Sequence, residues 1–169
     1  MLKLINVTKR NGNEKFLNID SDLNTTLIDF WSWAHSDLIG NAERGILAEY
    51  IVTMALGANK GVRVEWDSYD ILTNEQIKVE IKSSGYIQTW SQEKYSNIQF
   101  GIQPTQAWDK LSNTYENSKK RQSDVYVFCI HKHKEQATIN PLDLQQWEFY
   151  VLSTRVLNEK VPLQKTITL

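Results

Sequence analysis

Hydrophobic and polar residues alternate strictly from Ile77 to Lys82 in the stretch IKVEIK. Ile77, Val79 and Ile81 fall on one face of the strand that this alternation predicts, and charged side chains fall on the other. A shorter apolar stretch, YDIL, precedes it, and the polar residues TNEQ separate the two. The pattern therefore predicts a β-hairpin with one buried face and one polar face.

Apolar residues at helical spacing mark the segment from about Ala42 to Leu56. Asn41 is a candidate N-cap residue, Glu43 suits the first turn, and Gly57 can end the helix at C′. The apolar stripe expected to face the core consists of Ile46, Leu47, Tyr50, Ile51 and Met54. This is the clearest helix that the sequence predicts.

The rest of the pattern predicts further strands and three further helices. The expected strands are a hairpin over 3–19 with its turn at Asn11-Gly12, then VRVEW (62–66), VYVFCIHKH (125–133) and WEFYVLS (147–153). The expected helices cover IDFWSWAHS (28–36), about 104–120 and about 154–160. Strands interspersed with helices, without an internal repeat, favour one α/β domain.

The composition is that of an ordinary globular chain, with 169 residues, 41% hydrophobic and 23% charged. A formal net charge of -1 provides no overall attraction to nucleic acid or membranes, although a local basic groove is compatible with it. Cys129, the single cysteine, cannot form an internal disulfide and is expected in a buried strand. Since no signal-peptide or membrane-spanning pattern is present, we expect a cytoplasmic protein without membrane contact.

The polar face of the predicted hairpin gathers two carboxylates and a lysine. If Leu72 pairs with Lys78, Asp70 lies opposite Glu80. Opposed residues share a face, with Cβ atoms about 5 Å apart, and Lys82 follows Glu80 on that face. A shift of one residue in the register would separate these side chains, and the sequence does not determine the register.

Two carboxylates that close repel each other unless a cation lies between them. Their oxygens suit Mg²⁺ or Mn²⁺, which usually bind one or two carboxylates and keep several waters. Such an ion acidifies a bound water and shields the charge of a phosphate, and Lys82 is placed to act on that water. The group is therefore typical of a phosphodiester hydrolase, and an ordinary solvated strand face is the alternative.

Glu49 is a candidate fourth participant. On the predicted helix it lies beside the apolar stripe, on a flank with Ala42, Gly45 and Thr53. Small residues on that flank favour close approach of another element, which would bring Glu49 near the hairpin. A solvated helix glutamate is the alternative.

The order of these residues resembles the PD-(D/E)XK nuclease superfamily, which includes many restriction endonucleases and Holliday-junction resolvases. The resemblance rests on Glu49 on a helix, then Asp70, then Glu80-Ile81-Lys82 on a hairpin. It covers about 42–130 and implies a restriction endonuclease-like α/β fold, with an α-β-β-β-α-β core whose mixed central sheet is flanked by helices. Segments 1–41 and 134–169 would be peripheral additions to one nuclease-like domain over 1–169. The wider sequence is also similar to bacterial members described only as restriction-like.

The resemblance implies a role for each matching residue. Asp70 and Glu80 would bind Mg²⁺ or Mn²⁺, with the backbone carbonyl of Ile81 as a further ligand. Glu49 would contact the ion directly or through water. Lys82 would orient or help to deprotonate the attacking water.

Polar residues after the lysine often contact the substrate in this superfamily. Ser83, Ser84 and Gln88 match them in kind, with Gln88 expected near the start of a following helix. Helix capping for the serines and a surface position for Gln88 are the alternatives, at equal weight.

Several other residues are weaker candidates. Asp67 competes with Asp70 for the metal, and Asp70 is preferred because Asp67 falls in a turn-like Asp-Ser pair. His131 and His133 have no evident third zinc ligand, so they are interpreted as a solvated strand end. The basic run Lys119–Arg121 would add to a rim that contacts phosphate, or it only favours solubility.

These observations predict a Mg²⁺-dependent nuclease that hydrolyses DNA, with restriction or phage defence as the expected setting. A homodimer is expected, because cutting two strands with one small site requires two copies, and restriction-modification or repair proteins are expected partners. The alternatives are a DNA-repair or junction-resolving nuclease, a catalytically silent module that binds nucleic acid or protein, and an unrelated α/β fold. The sequence does not distinguish DNA from RNA or define a recognition sequence.

Overall fold

The computed structural model describes residues 3–19, 21–58, 61–65, 67–109 and 112–168. In chain order these residues form β1 (Lys15–Leu17), β2 (Asp22–Thr26), α1 (Leu27–Ala34), α2 (Asn41–Ala55), β3 (Ile71–Leu72), β4 (Lys78–Gly85), β5 (Gln99–Gly101), β6 (Trp108–Asp109), β7 (Thr114–Tyr115), β8 (Val125–His131), β9 (Trp147–Ser153), α3 (Thr154–Lys160) and β10 (Thr166–Thr168). Short 3₁₀ turns at Gln136–Thr138 and Leu144–Gln146 precede β9. The expected mixed α/β class is confirmed.

A four-stranded mixed sheet, in the order β3-β4-β8-β9, organises the fold. β3 pairs antiparallel with β4, β4 pairs parallel with β8 over its whole length, and β8 pairs antiparallel with β9. The pairing of β3 with β4 sets Leu72 opposite Lys78, which is the register considered from the sequence. β9 belongs fully to this sheet, although it lies outside the segment that carried the resemblance.

Each face of the sheet is covered by its own apolar cluster. On one face, α2 contributes Ala48, Ile51 and Val52, which pack against the inward residues Val79 and Ile81 of β4. The other face is covered by a cluster from three parts of the chain: the crossover, which is the connection from β4 to β8, together with β8 and α3. Its buried residues are Ile98, Phe100, Ile102, Tyr126, Phe128, Ile130 and Leu157. Glu80 and Lys82 lie on this second face, since residues paired across parallel strands point to the same side and these pair with Tyr126 and Phe128.

The predicted helices at 28–36, 42–56 and 154–160 are confirmed as α1, α2 and α3. The N-cap of α1 is Thr26, which forms a capping box with Asp29. Gly57 follows α2 with a φ of 63°, a left-handed conformation that suits a helix C′ residue. The N-cap of α2 is Gly40, so Asn41 is its first residue and not its cap.

The predicted hairpin over 3–19 is wrong. Residues 3–14 have no strand, and the observed hairpin pairs β1 with β2. The Asn11-Gly12 turn forms, but it brings Gly12 against Trp31 and Ile28 of α1. In VRVEW, the described residues 62–65 are not a strand, and residue 66 lies outside the described residues.

The predicted helix over 104–120 is also wrong. Its described residues contain β6 and β7, which pair Trp108 with Tyr115. The Asp109 side chain accepts a hydrogen bond from the backbone N–H of Ser112, and Asn113 has a φ of 56°, so the turn chemistry outweighs the helical pattern. In the described part of the crossover from β4 to β8 there is no α-helix, and the second helix of the expected restriction endonuclease-like core is therefore not found there.

Several side chains lie in other surroundings than expected. Tyr50, Met54 and Ile77 are exposed instead of facing the core. His131 is buried against Trp147 instead of lying at a solvated strand end. Arg121 is buried too, so it does not belong to a basic rim. Cys129 is fully buried, as predicted.

In the described part of the chain, no helix combines the length and apolar character that spanning a membrane requires.

Candidate active site

An open cleft of about 450 Å³ lies over the polar face of β4. One wall consists of Glu65 and residues 67–70, and the opposite wall comes from described residues of the crossover between Gly101 and Gln122. Glu80 and Lys82 of β4 line the cleft together with Tyr126 of β8. The charged residues among its described lining are Glu65, Asp67, Asp70, Glu80 and Lys82, so the cleft is acidic.

Asp70 is held at the point where β3 meets β4. Its Oδ2 accepts a hydrogen bond of 2.6 Å from the backbone N–H of Ile81, and its own N–H donates to the carbonyl of Val79 at 3.0 Å. Burial, and next the charge of Glu80, raise the pKa of Asp70 to about 6, against the Ile81 hydrogen bond that lowers it. The environment of Asp70 therefore disfavours its negative charge.

Glu80 is positioned from two sides. Its Oε1 forms an ion pair of 2.6 Å with Nζ of Lys82, and its Oε2 accepts a hydrogen bond of 3.2 Å from the Ser123 hydroxyl. Ser123 is buried at the end of the crossover. Burial and the charge of Glu80 also raise the pKa of the neighbouring Tyr126 to about 12. Glu80 and Lys82 are thus adjacent, as the alternating strand predicts.

Glu49 reaches the same region from α2, where it is held by Arg63. Nε and Nη2 of Arg63 donate to the two carboxylate oxygens of Glu49 at 2.5 and 2.9 Å. The charges of Glu49 and Lys82 both act on Asp70. Three of the four predicted residues, Asp70, Glu80 and Lys82, line the cleft, and Glu49 is linked to them by the effect of its charge on the pKa of Asp70.

The approach of Glu49 has a different cause from the one expected. A Cβ added at Gly45 would meet nothing within 4 Å, so in the described part of the chain no other element packs closely against Gly45. Instead, the hydrogen bonds of Arg63 to Glu49 connect α2 to the segment that contains Arg63. Arg63 was not predicted as a residue of the site. Its position in VRVEW, close to the acidic Glu65, was the available signal.

The predicted substrate-contacting residues Ser83, Ser84 and Gln88 are not among the residues that line the cleft. Ser83 and Ser84 belong to β4 and cap no helix, and Ser84 is buried. Gln88 is buried, where its side chain bonds Arg44, Gly85 and Ser96. No helix follows it in the described residues before β5, so that part of the prediction is wrong.

Of the weaker candidates, Asp67 lines the cleft alongside Asp70. His133 bonds the Thr138 hydroxyl at 2.8 Å, and His131 is enclosed with its Nε2 unpartnered. Burial lowers the pKa of His131, which favours a neutral ring. In the ranges that the structure describes, no group of three or more His, Cys, Asp or Glu side chains is arranged to hold a metal ion.

The pair Asp70 and Glu80 nevertheless fits a hard divalent cation. Mg²⁺ is usually bound in proteins by one or two carboxylates, with water completing its shell. The raised pKa of Asp70 results in part from the charge of Glu80, and a cation between them would remove this repulsion. The donor set thus has the chemistry of a two-carboxylate site in an open, acidic cleft.

An α/β sheet that presents two carboxylates and a lysine in such a cleft has the groups of a hydrolase. The chain belongs to the bacteriophage T4 endonuclease IV family, whose model matches residues 2–169. Neither the curated proteins nor the solved structures yielded a match. The predicted nuclease class is confirmed at the level of the family, and assignment to the PD-(D/E)XK superfamily stays a prediction.

Proposed function

We propose that this protein is a Mg²⁺-dependent endonuclease that hydrolyses phosphodiester bonds of DNA in the cleft around Asp70. The observation that carries the proposal is the grouping of Asp70, Glu80 and Lys82 in one cleft, in a member of an endonuclease family. Mn²⁺ has the same ligand preferences and would replace Mg²⁺ in experiments.

Asp70 and Glu80 would hold the ion, with Glu49 in contact through water. The ion, when bound, supplies positive charge next to the scissile phosphate and acidifies water. The Ile81 N–H and the Ser123 hydroxyl keep the two carboxylates in place. Lys82, whose Nζ is partly exposed, would orient the attacking water and stabilise charge that develops on the phosphate.

The other wall of the cleft supports a nucleic-acid substrate. Trp108 and Tyr115 of the β6–β7 hairpin line it, and Tyr115 is exposed. Aromatic rings offer surfaces on which bases stack. Gln103, Gln106 and Gln122 add amide groups that can bond base edges or phosphate oxygens.

The test is cleavage of varied DNA substrates by purified protein with Mg²⁺ or Mn²⁺, compared with three variants. Asp70→Asn, Glu80→Gln and Lys82→Ala should each lower the rate roughly 100-fold or more, since each removes a group that acts on the reacting phosphate. Lys132→Ala is the matched control, because Lys132 also pairs with a glutamate, Glu148, at 3.3 Å but outside the cleft. Cleavage by Lys82→Ala at the wild-type rate would contradict the proposal.

A catalytically silent nuclease-fold module is the second candidate. It is favoured by one observation, namely that Glu80 and Glu49 already have basic partners within the chain. A module of this kind would bind DNA equally well with Asp70→Asn and would show no stabilisation by Mg²⁺. Restriction, phage defence, repair or junction resolution, and a homodimer with further partner proteins, stay predictions about the setting of the activity.

A further inference from the structure

Glu49, the predicted fourth residue of the metal site, already forms an ion pair with Arg63. Arg63 binds both carboxylate oxygens through two different nitrogens, the paired geometry in which a guanidinium and a carboxylate attract most strongly. The Glu49 side chain is only 16% exposed. Little of this carboxylate is therefore open to solvent or to an ion.

Arg63 is also close enough to affect the rest of the site. The hydrogen bond to Glu49 raises the pKa of Arg63, and the charges of Glu65 and Asp70 contribute. Its third nitrogen, Nη1, lies 3.4 Å from Glu65, which lines the cleft. One fixed positive charge thus lies among three acidic groups, and it cannot be removed by deprotonation at physiological pH.

We propose that Arg63 acts as a built-in cation beside Glu49, so that the site takes one divalent ion, between Asp70 and Glu80, and not two. The inference rests on the proposed function for the existence of that ion. Arg63 is a positioning residue: it neutralises Glu49, and its charge repels any further cation from the α2 side of the cleft.

The consequence of removing Arg63 can be stated from the same contacts. Glu49 would lose both hydrogen bonds to Arg63 and would become a carboxylate without a basic partner, whose charge acts on Asp70. This additional negative charge attracts a hard cation more strongly. Arg63→Gln should therefore bind more Mn²⁺ than the wild type.

Calorimetric titration with Mn²⁺ alone, without DNA, tests this. The wild type should bind one ion per chain, and Asp70→Asn should lose it. Arg63→Gln should bind two ions, or one ion roughly tenfold more tightly. The double variant Arg63→Gln with Glu49→Gln should return to wild-type binding, because the freed carboxylate is gone. Arg63→Lys, which keeps the charge, should bind one ion.

Two controls keep the outcomes separate. Arg155→Gln removes a comparable ion pair, with Glu159 at 3.0 Å on α3, and should leave Mn²⁺ binding unchanged. Glu49→Gln alone leaves the charge of Arg63 without its partner, so it should bind the ion more weakly than the wild type does, and this result does not depend on the folding of an Arg63 variant. Wild-type binding by Arg63→Gln, two ions in the wild type, or tighter binding by Glu49→Gln would each overturn the inference. If the wild type binds no Mn²⁺, the metal site of the proposed function fails as well.

Discussion

Asp70 is a carboxylate whose surroundings favour its protonated form. It is largely buried, it faces the charge of Glu80, and the single N–H that it accepts from Ile81 compensates only in part. The folded protein therefore holds the Asp70 proton up to a pH of about 6, whereas the unfolded chain releases it near 3.8. Stability from this group is present in acid and is lost as the pH rises through about 6.

Replacing Asp70 by Asn should remove this loss. Without divalent cations, Asp70→Asn should be more stable than the wild type at pH 8 by up to about 3 kcal/mol, and the difference should vanish near pH 4. Urea unfolding of both proteins across this pH range measures the difference in their free energies of unfolding. Contributions of other titrating groups, such as His131, are the same in both proteins and cancel in this difference. A constant difference, or a variant less stable at pH 8, would contradict the pKa of Asp70. Saturating Mn²⁺ should reverse the order by stabilising the wild type alone.

The residues of the site differ in how far they could be predicted. Glu80 and Lys82 follow from alternation within one strand. Asp70 also depends on the register between two adjacent strands, which the sequence leaves open and the structure sets with Leu72 opposite Lys78. Arg63, which contacts Glu49, lies in a segment without helix or strand, so no periodic pattern in the sequence predicts this contact. Gln88 was misplaced because the expected helix after β4 does not form in the described residues.

Among the elements, α2 was predicted from the spacing of its apolar residues and from its end signals. One glycine inside this helix and one just beyond it allow the effect of backbone conformation on stability to be separated from the effect of packing. Gly45 lies inside the helix with free space around it, whereas Gly57 lies beyond its end with a φ of 63° and equally free space. An added methyl group therefore has no steric consequence at either position. Only the backbone preference changes.

Gly45→Ala should raise the free energy of unfolding by about 0.5–1 kcal/mol, because alanine is the better helix former. Gly57→Ala should lower it by about 1 kcal/mol, because alanine disfavours the left-handed conformation. Thermal and urea unfolding measure both changes. Effects of the same sign would show that packing, and not the backbone, decides one of the two positions.

The crossover between β4 and β8 was the least predictable element. Its hairpin depends on the Asp109–Ser112 hydrogen bond and on the left-handed Asn113, which act over a few residues and leave no period in the sequence. Its strand β5 pairs with β10, a partner far away in the chain. Pairing between such distant segments depends on tertiary structure and not on local propensity.

At the scale of the whole molecule, Arg121 joins the crossover to the C-terminal segment. Its guanidinium donates to the carbonyls of Ile102, Val161 and Gln164 and to the side chain of Asn158. The residue is buried, so removal of its side chain would leave these acceptors without a donor.

Arg121→Ala should therefore cost about 3 kcal/mol or more of unfolding free energy. The neighbouring Lys120→Ala removes an exposed ion pair with Glu116 and should cost less than about 0.5 kcal/mol. Urea unfolding of the pair gives the comparison. Equal small effects in both variants would show that Arg121 does not hold the two segments together.

The pairing of β5 with β10 also has a consequence for the order of events during synthesis. Gly101, on the cleft wall, lies opposite Thr166. Ribosomes deliver the carboxylates of Asp70 and Glu80 well before β10, and contacts between distant segments form late in folding. A nascent chain without β10 thus carries these groups while the wall that contains Gly101 lacks its pairing partner. A fully formed cleft therefore depends on the synthesis and pairing of β10.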